Sequence, residues 1–160
     1  MGNKIMGNVI TVTRKKRNYN THLLKQGVVR VGFFPQSRYD GGTSVAQVAR
    51  YNEFGVPKGT GERIPPRPFM RPAVFEHKTD LTNNLHKRYR QAIRDNQDTM
   101  MVLENFGKDV AGLIREQIAN TYEPPNAPST IKRKGANTPL RDTRLMLNSV
   151  RYQAEERAKK

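Results

Sequence analysis

The sequence predicts an α+β protein in which a small antiparallel sheet packs with two long helices and two long proline-rich loops or arms. Three observations predict this fold class. Between Gly27 and Pro35 the chain is β-branched and aromatic, which is typical of a strand. Apolar residues recur at helical spacing through two long stretches after residue 72. Segments 56–68 and 122–139 contain four prolines each, a composition that interrupts regular structure.

The first half of the chain predicts a strand, a turn and a short helix. The strand covers Val28–Phe34, and Arg38–Gly42 follows with Asp and Gly residues that favour a turn. Thr43 or Ser44 then caps a helix. Gly55 marks the end of that helix, because glycine accepts the left-handed conformation that often follows a last turn.

Two amphipathic helices are predicted in the middle of the chain, packed antiparallel. The first begins at Pro72, because proline is tolerated in a first turn, and it ends near Asp95. Its apolar stripe consists of Val74, Leu81, Leu85, Tyr89 and Ile93. The second covers Gln97–Asn120. Gly107 and Gly112 lower its helix propensity by roughly 1 kcal/mol each, so we expect close packing to offset that cost.

We expect one domain over residues 27–154, because each flank of the proline-rich segments has too few apolar residues for a separate core. Residues 1–26 are expected to form a basic N-terminal arm, within which Val9–Val12 alternates like a short strand. A last strand is predicted over Ser149–Gln153, and residues 155–160 form a charged tail that frays. Only 35% of the residues are apolar, which predicts a thin core and support from neighbouring subunits.

Positive charge is concentrated towards both ends of the chain. The formal net charge is +15, of which residues 1–43 carry +7 and residues 122–160 carry +5. Basic ends indicate contact with polyanions, either nucleic acid or acidic protein surfaces, and solubility alone is the alternative. The chain has no cysteine, which excludes disulfides and thiolate metal sites. Its longest apolar runs are far shorter than a membrane span, so no membrane contact is expected.

The histidines, the acidic residues and the glycine-rich turn do not form a catalytic or ligand-binding pattern. We therefore expect no enzyme activity, no cofactor and no metal site. His77 and His86 are nine positions apart, a spacing that does not place them on one helical face. The acidic residues are scattered among basic ones, which favours solvated ion pairs. Gly41–Ser44 lacks the Gly-Lys-Ser/Thr of a P-loop, so a turn followed by a helix cap is preferred over a phosphate site.

The segment Ile64–Pro72 has two competing interpretations. Its prolines hold the backbone extended, and apolar Phe69 and Met70 stand between Arg67 and Arg71. A rigid arm of this kind suits docking onto another protein, because little entropy is lost on binding. The alternative is a loop that folds back onto its own core through Phe69.

Three stretches together resemble the neck and tail-completion proteins of tailed bacteriophages, the group that includes minor tail protein Z-like and virion morphogenesis proteins. They are Tyr51–Gly55, Ile64–Arg71 and Pro139–Val150, in the order of that family and with two helices between the second and third. The resemblance covers roughly residues 28–153. Arg144 stands where the family has glycine, and Asp142 or Thr143 is expected to cap a short helical turn just beyond.

The resemblance implies a non-enzymatic virion protein at the head–tail junction, assembled in the host cytoplasm as a homo-oligomeric ring. Its implied partners are the head connector or head-closure protein and the tail terminator or tail-tube protein. It also implies that the matching positions are interface or core residues: Glu53, Phe54, Arg67, Phe69, Met70, Arg71, Leu140, Asp142, Thr143 and Leu145.

Two basic clusters are candidates for contact with packaged DNA or with an acidic partner. The first consists of Arg14, Lys15, Lys16 and Arg17, and the second of Lys132, Arg133 and Lys134. Charge of this kind supports non-specific backbone contact, and the alternative function is therefore a non-specific nucleic-acid-binding protein. No helix-turn-helix, zinc-finger or RNA-binding signature accompanies the clusters.

Overall fold

The computed structural model describes residue 22 and residues 25–56, 64–141 and 144–157. Its helices and strands confirm the predicted α+β class. In chain order they are β1 (Gly27–Phe33), α1 (Val45–Phe54), α2 (Met70–Phe75), α3 (Lys78–Arg94), α4 (Thr99–Asn120), α5 (Pro128–Lys134), α6 (Leu145–Asn148) and β2 (Val150–Glu156).

The described sheet has two strands, which are the first and last elements of the described residues. β1 pairs antiparallel with β2, so that Gly27 lies opposite Glu156 and Phe33 lies opposite Val150. Both strands were predicted from their β-branched and aromatic residues. The predicted start of a frayed tail at Glu155 is wrong, because Glu155 and Glu156 belong to β2.

The folded body includes residues assigned to the N-terminal arm. The backbone N–H of Lys25 donates to Thr99 Oγ1 at 2.9 Å, and the Lys25 ammonium lies 3.2 Å from the Asp98 carboxylate. The backbone N–H of Arg157 donates to the carbonyl of Gln26 at 2.8 Å. Lys25 and Gln26 are therefore joined to the start of α4 and to the end of β2. The predicted strand at 9–12 lies outside the described residues.

Helix α4 packs against the inner face of the sheet, and Gly107 allows the close approach. A Cβ atom at Gly107 would lie 2.8 Å from Tyr152 Cδ2 and 2.9 Å from Val29 Cγ1. The expected close packing is therefore confirmed at Gly107. At Gly112 a Cβ atom would meet nothing within 4 Å, so this glycine is not a point of close approach.

The first predicted helix is divided into α2 and α3 by a turn at residues 76–77. It begins at Met70, two residues before Pro72, which lies within the first turn. α3 and α4 form an antiparallel pair joined by an ion pair between Arg88 and Asp109 at 2.6 Å. Ala92 is the single buried residue of α3, so most of this helix faces outward.

The second proline-rich segment is not a continuous loop, because α5 lies within it. Pro128 occupies the start of this helix, where its missing N–H costs nothing. Gly135 follows the helix with a φ of 73°, the left-handed conformation that ends many helices. α5 buries none of its residues and lies on the surface of the domain.

The core lies between α4, the sheet, α1 and α2. It is built from Val45, Ala49, Phe69, Ala73, Val110, Ala111, Ile114, Ile118, Met146 and Val150. Three of these ten residues are alanines. Among the helices described here, none has the length and apolar character that crossing a membrane requires.

Candidate assembly interface

The C-terminal end of α1 meets the N-terminal end of α2 at the carboxylate of Glu53. Its oxygens accept from the backbone N–H groups of Phe69 at 2.7 Å, Met70 at 2.9 Å and Arg71 at 3.1 Å. The first N–H groups of a helix have no partner within the helix, and α2 has no side-chain cap of its own. Glu53, which is only 3% exposed, therefore caps α2 from another helix.

The environment of Glu53 favours its charged form. Burial alone would raise the pKa of this carboxyl. The backbone hydrogen bonds from Phe69 and Met70, with the side-chain and backbone bonds from Arg71, outweigh burial and hold the pKa below its usual range. Glu53 is a structural anion that fixes the Ile64–Arg71 segment onto α1.

Arg67 joins the two proline-rich segments. Its Nε donates to the carbonyl of Pro124 at 2.7 Å, and its Nη2 donates to the carbonyl of Pro125 at 2.8 Å. The side chain is buried, and burial lowers the pKa of Arg67, although a guanidinium remains charged at neutral pH. The backbone N–H of Arg67 also donates to the backbone carbonyl of Asn52 at 2.6 Å, so Arg67 is hydrogen-bonded to α1 as well.

The described part of the first proline-rich segment folds back onto the core. Phe69 is fully buried, and its ring contacts Phe33 of β1 edge-to-face with 6.0 Å between the ring centroids. The interpretation as a loop anchored through Phe69 is therefore confirmed, while docking of this segment onto another protein stays a prediction. Residues 57–63 lie outside the described chain.

The exposed side of the same junction carries a patch of aromatic and basic side chains. We define the aromatic–arginine patch as Phe54, Arg71, Val74 and Phe75. Phe54 is 63% exposed and Phe75 is 78% exposed. The Arg71 guanidinium lies 4.9 Å from the centroid of the Phe54 ring, while its Nε donates to Glu53 at 2.9 Å. Phe75 is four positions after Arg71 and therefore projects from the same face of α2.

The patch includes residues that the sequence did not identify. Val74 was assigned to the buried stripe of a helix, but it is 42% exposed. Phe75 was not singled out, because a single apolar residue next to a helical stripe carries no signal of its own. Met70, also predicted as an interface or core residue, is partly buried against the core.

The third stretch of the resemblance supplies two core residues, Met146 and Val150, and two unusual backbone conformations. Met146 of α6 is 2% exposed and belongs to the core, whereas Leu140 and Leu145 pack against the core only partly buried. Leu140 has a φ of 61° and Arg144 a φ of 58°, values that non-glycine residues adopt rarely. Asp142 and Thr143 lie outside the described residues, and Arg144 precedes the first turn of α6.

The structure describes one of the two predicted basic clusters. Arg14, Lys15, Lys16 and Arg17 lie outside the described residues. Lys132, Arg133 and Lys134 form the last turn of α5, where cations interact favourably with the helix dipole. Lys132 and Arg133 are exposed to solvent, and Lys134 is partly buried.

Within the described ranges, no three His, Asp or Glu side chains are grouped so that they could hold a metal ion. The geometry of the α1–α2 junction suits contact with protein surfaces, because its polar atoms are bonded internally and its outer side is aromatic and basic. Comparisons of this chain with protein-family models, curated proteins and solved structures found no match.

Proposed function

We propose that this chain is a structural protein of the bacteriophage head–tail junction, a neck or tail-completion protein that joins connector and tail by assembling as a ring. The Glu53 carboxylate carries the proposal. The first stretch of the resemblance contributes this carboxylate, and the second contributes the three backbone N–H groups that it binds. Two stretches that resemble the family in sequence thus form one hydrogen-bonded unit.

A backbone conformation in the third stretch supports the same proposal. Arg144 stands where the resembled family has glycine, and its φ is 58°. Glycine is the usual residue at such positions, because it adopts positive φ without steric cost. The position thus has the conformation for which the family's glycine is suited.

The aromatic–arginine patch supports a mechanism based on contact. Aromatic residues and arginine are enriched at the centres of protein interfaces and contribute most of the binding energy there. Of the matching residues, Glu53, Arg67 and Phe69 are buried and build the junction, while Phe54 and Arg71 are presented on its surface. The buried residues fix the backbone that positions the exposed ones.

The test is assembly of the purified full chain, measured by sedimentation velocity and negative-stain electron microscopy. We expect the wild type to form rings. The double variant Phe54→Ser/Phe75→Ser should lower the association constant by at least about tenfold, because truncation of side chains at the centre of an interface removes most of its binding energy. The matched control is Tyr122→Ser with Met101→Ser. These residues are 53% and 60% exposed, and Tyr122 also has an arginine guanidinium, that of Arg141, 4.9 Å from its ring centroid.

Two results would contradict the proposal. One is a wild-type chain that stays monomeric at all concentrations and does not bind a connector or tail-tube protein. The other is equal loss of assembly in the patch variant and in the control variant, which would assign the effect to general surface polarity.

Non-specific nucleic-acid binding is the second candidate, and the exposed Lys132 and Arg133 on α5 favour it. A salt series with duplex DNA separates the two functions. Tight binding at physiological salt with a steep logarithmic salt dependence would support the second candidate. Binding that disappears by about 0.15 M salt, where the Debye length is about 8 Å, would support the neck protein.

A further inference from the structure

A cleft of about 820 Å³ lies between the two proline-rich segments, away from the aromatic–arginine patch. Its walls come from α1, from the start of the Ile64–Arg71 segment, from α5 and from the residues around the start of α6. The volume falls within the range of about 300–1,000 Å³ that is typical of ligand-binding clefts.

The charged side chains that line this cleft within the described residues are basic. Arg133 and Lys134 contribute from α5, and Arg144 contributes from the residue before α6. Arg67 also lines the cleft, but its guanidinium is occupied by the carbonyls of Pro124 and Pro125. Among the lining residues that the structure describes, none carries a carboxylate. The cleft therefore attracts an anionic group.

The remaining described lining is mixed, because Thr43, Asn52, Asn126 and Thr130 contribute polar side chains beside the apolar ones. Val48 of α1, Ile64, Leu145 and Met146 contribute aliphatic or thioether side chains. A nucleic-acid backbone has no large apolar group to fill such a lining, whereas a peptide carries carboxylates and apolar side chains on one chain. The combination of basic and apolar lining thus favours an acidic peptide that contains a large apolar residue.

Backbone strain is concentrated at the same cleft. Within the described ranges, three non-glycine residues have positive φ, and two of them, Leu140 and Arg144, line the cleft. Strained residues of this kind persist where the surrounding structure holds them, and they cluster at ligand-binding sites. At position 144 a glycine would adopt this φ without strain, but it would not supply the positive charge that Arg144 adds to the cleft.

We infer that this cleft is a docking site for an acidic, extended segment of another protein, with an apolar side chain seated between α1 and α6 and its carboxylates against Arg133 and Arg144. The chain's own N-terminal arm does not fit, because residues 1–26 contain six basic and no acidic residues. The site goes beyond ring assembly and does not depend on the neck assignment.

Fluorescence anisotropy with the full chain tests the inference. The probe is a fluorescein-labelled pentapeptide with leucine at its centre and two aspartates on each side. We expect saturable binding to the wild type. Replacement of the four aspartates by lysines should abolish binding, and replacement of the central leucine by serine should weaken it, because the apolar lining then stays empty.

The variant pair compares equal losses of charge at two places. Arg133→Ala with Arg144→Gly removes two cations from the cleft, and glycine accepts the positive φ at position 144. Lys87→Ala with Arg90→Ala removes two cations from exposed positions on α3. We expect the cleft variant to lose about tenfold or more in affinity, since a charge-assisted hydrogen bond is worth at least that much, while the α3 variant stays near wild type.

Three outcomes would overturn the inference. The first is absence of saturable binding by a chain that circular dichroism shows to be folded. The second is equal affinity of the two variants, which would assign binding to net charge. The third is binding of a fluorescein-labelled duplex DNA that falls only in the cleft variant while the peptide does not bind, which would assign the cleft to nucleic acid. The measurement uses dilute protein, so failure of ring assembly would leave its result unchanged.

Discussion

The two proline-rich segments contain four prolines each but are attached differently to the domain. Directly after the first, Phe69 is fully buried and Glu53 binds three consecutive backbone N–H groups. In the second, α5 buries none of its residues, and the segment forms one wall of an open cleft. Proline stiffens a backbone in either case. An apolar anchor and a polar partner elsewhere in the chain decide whether the stiff segment becomes part of the core.

The largest expected difference between the segments comes from their apolar anchors. Phe69→Ala should lower the free energy of unfolding by about 3–5 kcal/mol, because it leaves a cavity in the core. Ile131→Ala in α5 should cost about 1 kcal/mol, since Ile131 is only half-buried. Urea denaturation of both variants measures the two costs. Equal costs would show that the second segment is anchored as firmly as the first.

A smaller effect, with a pH dependence, is expected at Glu53. Glu53→Gln should cost about 2–3 kcal/mol at neutral pH, because its hydrogen bonds lose the assistance of the charge. The folded-state pKa of Glu53 is lowered, so its stabilisation is complete above the unfolded pKa of about 4.3 and is lost as the pH falls through the folded pKa. The free energy of unfolding of the wild type should therefore fall more between pH 7 and pH 3 than that of Glu53→Gln.

The control for this measurement is Glu104→Gln, which removes an exposed carboxylate from α4. We expect it to keep both the stability and the acid sensitivity of the wild type. A Glu53→Gln variant that loses stability on acidification as much as the wild type would rule out Glu53 as a source of the pH dependence.

The smallest of the three effects is expected at Arg67, which connects the two segments. Arg67→Met fills much of the same space but leaves the carbonyls of Pro124 and Pro125 without their donor, at a cost of about 2 kcal/mol. Amide hydrogen exchange at Asn126 should accelerate more than exchange in β1, because the second segment loses its attachment. Arg90→Met, at an exposed position on α3, should change neither quantity.

Local patterns predicted the fold better than they predicted the contacts between segments. The strands, α1 and the α3–α4 pair follow from β-branched runs and helical periodicity, which are signals within a short window. The predicted side-chain cap of α1 is not formed, because Ser44 makes no capping hydrogen bond. α5 was missed because the count of prolines outweighed more specific signals. Pro128 at the start of a helix, basic residues in its last turn and Gly135 beyond it are together a helix signature.

The sequence predicted residues that belong to the candidate site, but not which of them are buried and which are exposed. The resemblance selected Glu53, Arg67 and Phe69, but it did not separate buried from exposed positions. That separation depends on contacts between residues 16 and 57 positions apart, such as Glu53 with Phe69 and Arg67 with Pro124. Phe75 and the basic cleft arise from the same long-range packing, which no short window of sequence contains.

The pairing of β1 with β2 has a consequence for the distribution of charge. Because Gln26 and Arg157 are hydrogen-bonded neighbours, the stretches that precede and follow the folded body are attached at a single end of the sheet. Residues 1–24 contain five basic and no acidic residues, and residues 158–160 add two lysines. The two sequence stretches that adjoin this end of the sheet are therefore both basic, and we expect acidic surfaces to be attracted to them.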